Sequence, residues 1–161
     1  MTPKPDFTAF AQTYDSGRPQ VVWRVLVADL ETPVSAFLKL ANGQPNAFLL
    51  ESVEGGAVRG RYSILGMKPD LIWRCVGNRA WINRNARSDR DAFAPCPVAE
   101  ASGALDSLRS LVAESRIDIP NGLPPMSAGL VGYLSYDTIR LAERLPDNNP
   151  DTIGVPDGIF L

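Results

Sequence analysis

The sequence has 161 residues, 45% of them hydrophobic and 21% charged, with a formal net charge of -2 and a pI near 5.1. That length suits one domain able to bury roughly 68–70% of its unfolded surface, and weak acidity without a Lys/Arg cluster argues against nucleic acid or an anionic membrane surface as the main partner. Histidine is absent, which removes the side chain most used for proton transfer near neutral pH and leaves no Ser-His-Asp or Cys-His site.

In chain order, Asp6 is placed to cap a short helix whose Phe7, Phe10, Ala11 and Tyr14 recur at helical spacing and should lie on a core. "QVVWRVLVA", residues 20–28, is nearly continuous in apolar character and rich in β-branched residues, which predicts a central strand. Thr32 and Pro33 read as the N-cap and first position of a second helix, "PVSAFLKLA", stopped by Asn42-Gly43. "AFLLESV", "RYSILG", "DLIWRCVG" and "RAWINR" follow as short strands, with a tight turn at Gly77-Asn78.

Residues 84–97 are polar, charged and proline-bearing, which predicts an exposed loop. Arg84, Arg87 and Arg90 there fit a solvated surface better than an anion site. A helix is predicted over about residues 102–115, with Leu105, Leu108, Leu111 and Val112 as its inward stripe. "MSAGLVGYLSYD" is β-like, and its Gly129 and Gly132 predict a bulge or the close approach of another backbone. Asp137 is placed to cap a helix "TIRLAERL" ended by Pro146. The tail "PDGIFL" begins something strand-like, and apolar Ile159, Phe160 and Leu161 suggest the front of a longer chain. The expected class is α+β, a β-rich sheet with packed helices forming one domain that is itself incomplete.

No apolar run approaches the roughly 18 residues that span a bilayer, and "MTPKPDFTAF" lacks the pattern of a signal peptide, so the expected compartment is the cytoplasm, with no membrane partner. Cys75 and Cys96 sit in no metal-binding spacing and are expected as reduced thiols. Acidic residues are scattered singly rather than in a calcium-loop pattern, so no metal ligand is assigned. "GGAVRG" lacks the Lys and Ser/Thr of a phosphate loop and reads as a turn, and "GLVGYL" lacks the dinucleotide-binding spacing.

Glu51 and Ser52, at the end of an apolar run, are harder to explain. In an alternating strand Leu50 and Ser52 point to one face and Leu49 and Glu51 to the other. Burying an unpaired carboxylate is expensive, so Glu51 should meet a cation, either Arg59 or Arg61 or the ammonium of a ligand. Spacing alone favours the structural ion pair and leaves the ligand open.

"FLLESVEGGAVRGRYSILG" resembles the Leu-Leu-Glu-Ser to Gly-Arg-Tyr-Ser signature of the N-terminal region of anthranilate synthase component I, and "AGLVGYLSYD" resembles that family's second N-terminal signature. The resemblance covers most of the chain. It implies a lyase that converts chorismate and ammonia to anthranilate and pyruvate with Mg2+, the ammonia coming from a glutamine amidotransferase subunit, and that is feedback-inhibited by L-tryptophan. In the family the chorismate and magnesium residues, including a catalytic histidine, lie in a C-terminal chorismate-binding region absent here, so no catalytic residue is assigned to this chain. What the resemblance assigns is part of the tryptophan site: Leu50, Glu51 and Ser52 on the lining segment, with Arg61 and Ser63 as second-rank candidates. Glu51 would attract the ligand's ammonium, Ser52 would hydrogen-bond it, Leu50 would pack on indole, and Arg61 would either meet the carboxylate or neutralise Glu51. The related aminodeoxychorismate synthase component of folate synthesis is an alternative, as is a non-catalytic amino-acid-binding or docking domain.

Overall fold

The computed structural model describes residues 2–51, 62–146 and 148–161. It is α+β and divides into two compact units, one built from residues 1–67 and 116–129, the other from 68–115 and 130–161.

The first unit begins with helix α1 (Phe7–Asp15), whose N-cap Asp6 accepts a hydrogen bond from the Ala9 amide at 2.9 Å. The predicted apolar stripe is present, with Phe10 and Tyr14 stacked at 5.8 Å between ring centroids, but it does not lie on a core: no α1 residue is buried and Phe7 is 81% exposed. Helix α2 (Pro33–Ala41) follows the sequence closely. Thr32 and Ser35 cap it reciprocally, and Asn42 and Gly43 end it at φ values of 45° and 71°, the left-handed geometry these residue types tolerate. A two-stranded antiparallel ribbon completes the unit's regular structure, β1 (Phe48–Glu51) with β2 (Ser63–Gly66).

Residues 20–28 depart from expectation. They form no strand, and the one pairing there is an isolated bridge between Lys4 and Trp23. Val22, Val25, Leu26 and Val27 are more than half exposed. Hydrophobic pattern alone does not make a strand; a ladder of partner carbonyls and amides does, and the described residues supply only the Lys4 bridge.

The second unit holds a five-stranded antiparallel sheet in the order β5-β4-β3-β7-β6. Its strands are β3 (Ile72–Val76), β4 (Arg79–Asn83), β5 (Ala94–Pro95), β6 (Gly132–Leu134) and β7 (Gly158–Phe160). The β3–β4 hairpin turns at Gly77-Asn78, as predicted, with Gly77 at φ 53°. Strand β5 lies inside the predicted loop, where Pro95 is tolerated because it sits on the sheet's edge. The tail residues Ile159 and Phe160 lie within an interior strand, between β3 and β6. Gly132 fulfils its predicted role, since a Cβ there would run into the Ile159 carbonyl of β7.

Helix α3 (Pro97–Ser102) was not expected, and α4 (Ala104–Glu114) is the helix expected over about residues 102–115, the two separated by a break at Gly103 with φ 90°. Asn78 explains the break: its Oδ1 accepts the Ala104 amide at 2.9 Å, so the hairpin turn caps α4 where Gly103 has no side chain to do so. The buried face of α4 is Ala104, Ser107 and Leu111, whereas Val112, placed inward by the sequence reading, is 48% exposed. Ala104 and Leu111 join Trp73, Cys75, Ala80, Cys96 and Ala99 in the hydrophobic core. The helix expected after Asp137 is a short 3-10 helix, Tyr136–Leu141, with Ser135 at its N-cap; Asp137 pairs with Arg140 at 2.8 Å instead of capping.

Candidate functional site

The β1–β2 ribbon brings the two halves of the opening signature together. Leu50 stands opposite Ile64 and Glu51 opposite Ser63. Directly paired residues share a face, so Leu50, Ile64 and, two residues before Ile64, Tyr62 present one face of the ribbon, while Glu51 and Ser63 belong to the other. Helix α2 packs against both strands.

Beside this ribbon lies a cleft of about 470 Å³, within the size range of small-molecule sites. Leu50, Tyr62 and Ile64 line it from the ribbon, Glu51 meets it at the ribbon's end, and Pro124, Pro125 and Met126 form the remaining wall. The lining is largely apolar, with the Glu51 carboxylate its one ionisable acid among the described residues.

Of the residues singled out from sequence, Leu50 and Glu51 line the cleft, and Ser63 sits across from Glu51 without lining it. Ser52 and Arg61 lie outside the described residues, as do Arg59 and the "GGAVRG" turn. Glu51 is exposed and forms no ion pair among the described residues. The desolvation cost that demanded a cation for it therefore does not arise. Sequence reasoning missed Tyr62, Ile64 and the Pro124–Met126 wall. Alternation within "RYSILG" carries a signal for the first two, since Tyr62 and Ile64 flank Ser63. Nothing local points to residues sixty positions further on.

Other groups offer less chemistry. A second cleft of about 460 Å³ is lined by Thr13, Arg18, Pro19, Arg116, Ile117 and Asp118, in which the Asp118 carboxylate opposes any anion the arginines would attract. Cys75 and Cys96 are free and buried, and burial pushes the Cys75 thiol up to about 11, which makes it a core residue and not a nucleophile. Among the described residues no three His, Cys, Asp or Glu side chains converge to hold a metal ion. The loop arginines behave as a surface: Arg84 forms a two-pronged pair with Glu114, Arg87 donates to the Lys68 carbonyl at 3.3 Å, and Arg90 lies 4.0 Å from Asp91. No helix among the described residues is long and apolar enough to cross a membrane.

No protein-family model matches the chain. Curated relatives do. It is 53% identical, over 96% of its own length, to the anthranilate synthase component 1 of Cereibacter sphaeroides. It is 37% identical over 99% of its length to the protein of that name from Mycolicibacterium smegmatis, and 38% identical over 98% to that from Synechocystis. The chain spans only 28–30% of the length of these three relatives.

Proposed function

This chain belongs with the N-terminal region of anthranilate synthase component 1, and on that premise we propose that it is the regulatory portion of such an enzyme, carrying one wall of its tryptophan feedback site. The whole protein would turn chorismate and ammonia into anthranilate and pyruvate in the cytoplasm. A glutamine amidotransferase subunit would supply the ammonia, and magnesium and the catalytic groups would be held outside this chain.

The observation that supports the reading is the chemistry of the cleft. A carboxylate at the end of a largely apolar slot suits an amino acid with a large hydrophobic side chain: Glu51 would face the ammonium, and Leu50 and Ile64 the ring. Inhibition would be a population shift, in which tryptophan binds better to the arrangement of the protein that disfavours chorismate turnover, since a ligand moves such an equilibrium only through differential affinity.

The test is inhibition of the full-length enzyme by tryptophan. Glu51→Gln and Ser52→Ala should each raise the tryptophan concentration needed for half-inhibition about tenfold, the scale of one charge-assisted hydrogen bond, while turnover without tryptophan persists. Unchanged inhibition in both variants would sink the assignment.

A further inference from the structure

We propose that the turn Pro124–Pro125–Met126 is the specificity wall of the cleft, closing over the indole ring of tryptophan against Leu50, Tyr62 and Ile64. This rests on the feedback-site reading and adds to it a segment far from the signature in sequence.

The wall is built to hold a shape. The Ser127 amide donates to the Pro124 carbonyl at 3.0 Å and the Ser127 hydroxyl donates to the same oxygen at 2.7 Å, closing a tight turn with Pro125 and Met126 at its centre. Proline at the second position of such a turn has its φ already set, so little backbone entropy is lost when a ligand is clasped. Met126 follows at the tip, 49% exposed. Its unbranched thioether adapts to a flat surface, and sulfur makes favourable contacts with aromatic rings.

The opposite wall complements it. Leu50 and Ile64 are registered partners, and Tyr62 continues their face of the ribbon. The turn itself adds no polar side chain, so a polar ligand side chain would lose hydration there without gaining a partner. The cleft thus selects a broad apolar ring, and a volume of about 470 Å³ leaves room for a bicyclic one.

The experiment is calorimetric titration of L-tryptophan and L-phenylalanine into the full-length protein and its Glu51→Gln, Met126→Ser and Met126→Leu variants. Met126→Ser should bind tryptophan about tenfold more weakly, with a smaller loss for phenylalanine. Met126→Leu, which keeps the apolar volume, should stay within about threefold of the parent. If Met126→Ser binds tryptophan like the parent while Glu51→Gln weakens it, the wall is wrong and the feedback site stands. Equal losses in the Ser and Leu variants would also overturn the wall, because the effect would not track apolar contact. Failure of the parent protein to bind tryptophan would overturn both.

Discussion

Glu51 and Ser63 stand directly opposite one another at the end of the antiparallel ribbon where the chain connects its two strands, twelve positions apart in the chain and paired in register. A charge placed at Ser63 therefore acts on Glu51 at cross-strand distance. Ser63→Asp sets two carboxylates face to face and should destabilise the ribbon by about 0.2–1 kcal/mol, whereas Ser63→Lys creates an opposite-charge pair and should not. Hydrogen exchange at the β1 and β2 amides reads the difference directly. Equal protection in the two variants would contradict the register.

A second relationship lies in the sheet's core. The Trp73 indole N–H donates to Ser107 Oγ at 3.0 Å, and the Ser107 hydroxyl donates to the Ala104 carbonyl at 2.8 Å, with both residues almost wholly buried. Ser107→Ala leaves the indole N–H without a partner and should cost about 1–3 kcal/mol. Trp73→Phe in the same background removes the orphaned donor, so the two losses should not add. Urea unfolding of both single variants and the double variant measures the coupling, and strict additivity would refute it.

The pair between Arg84 and Glu114 gives a pH dependence. The hydrogen bonds donated by Arg84 hold the Glu114 carboxyl below its ordinary value of 4.5. A carboxyl lowered by folding stabilises the protein above its unfolded value, and that contribution is lost as pH falls through the lowered, folded one. Both side chains are about half exposed, so screening limits the effect at neutral pH to roughly 0–1 kcal/mol. Glu114→Gln should lower the thermal midpoint slightly at pH 7 and not at all once the carboxylates are protonated. A difference that persists in acid would assign the effect to packing.

The capped helices were readable because caps are local. Asp6, Thr32 and Asn42-Gly43 act within a few residues of themselves: α1 begins where Asp6 places it, and α2 begins and ends where Thr32 and Asn42-Gly43 place it. The Gly77-Asn78 hairpin was readable for the same reason. The break at Gly103 was not, because the group that starts α4 is Asn78, twenty-six positions earlier. Nor was Ser107 legible as a core residue, since the indole N–H that its hydroxyl accepts comes from Trp73, thirty-four positions earlier.

The candidate site divides in the same way. Sequence by itself determined the membership of the chain, through the string "LLES" and its companion "GRYS", and it determined that a carboxylate ends an apolar strand. Only the tertiary structure decided that Glu51 is exposed and not buried, that residues 20–28 pair only through the Lys4–Trp23 bridge among the described residues, and that a proline turn from residues 124–126 stands against Leu50 and Ile64. Alternation and capping depend on neighbours along the chain, and a sequence lists those. Desolvation, strand pairing and the walls of a cleft depend on neighbours in space, which folding alone supplies.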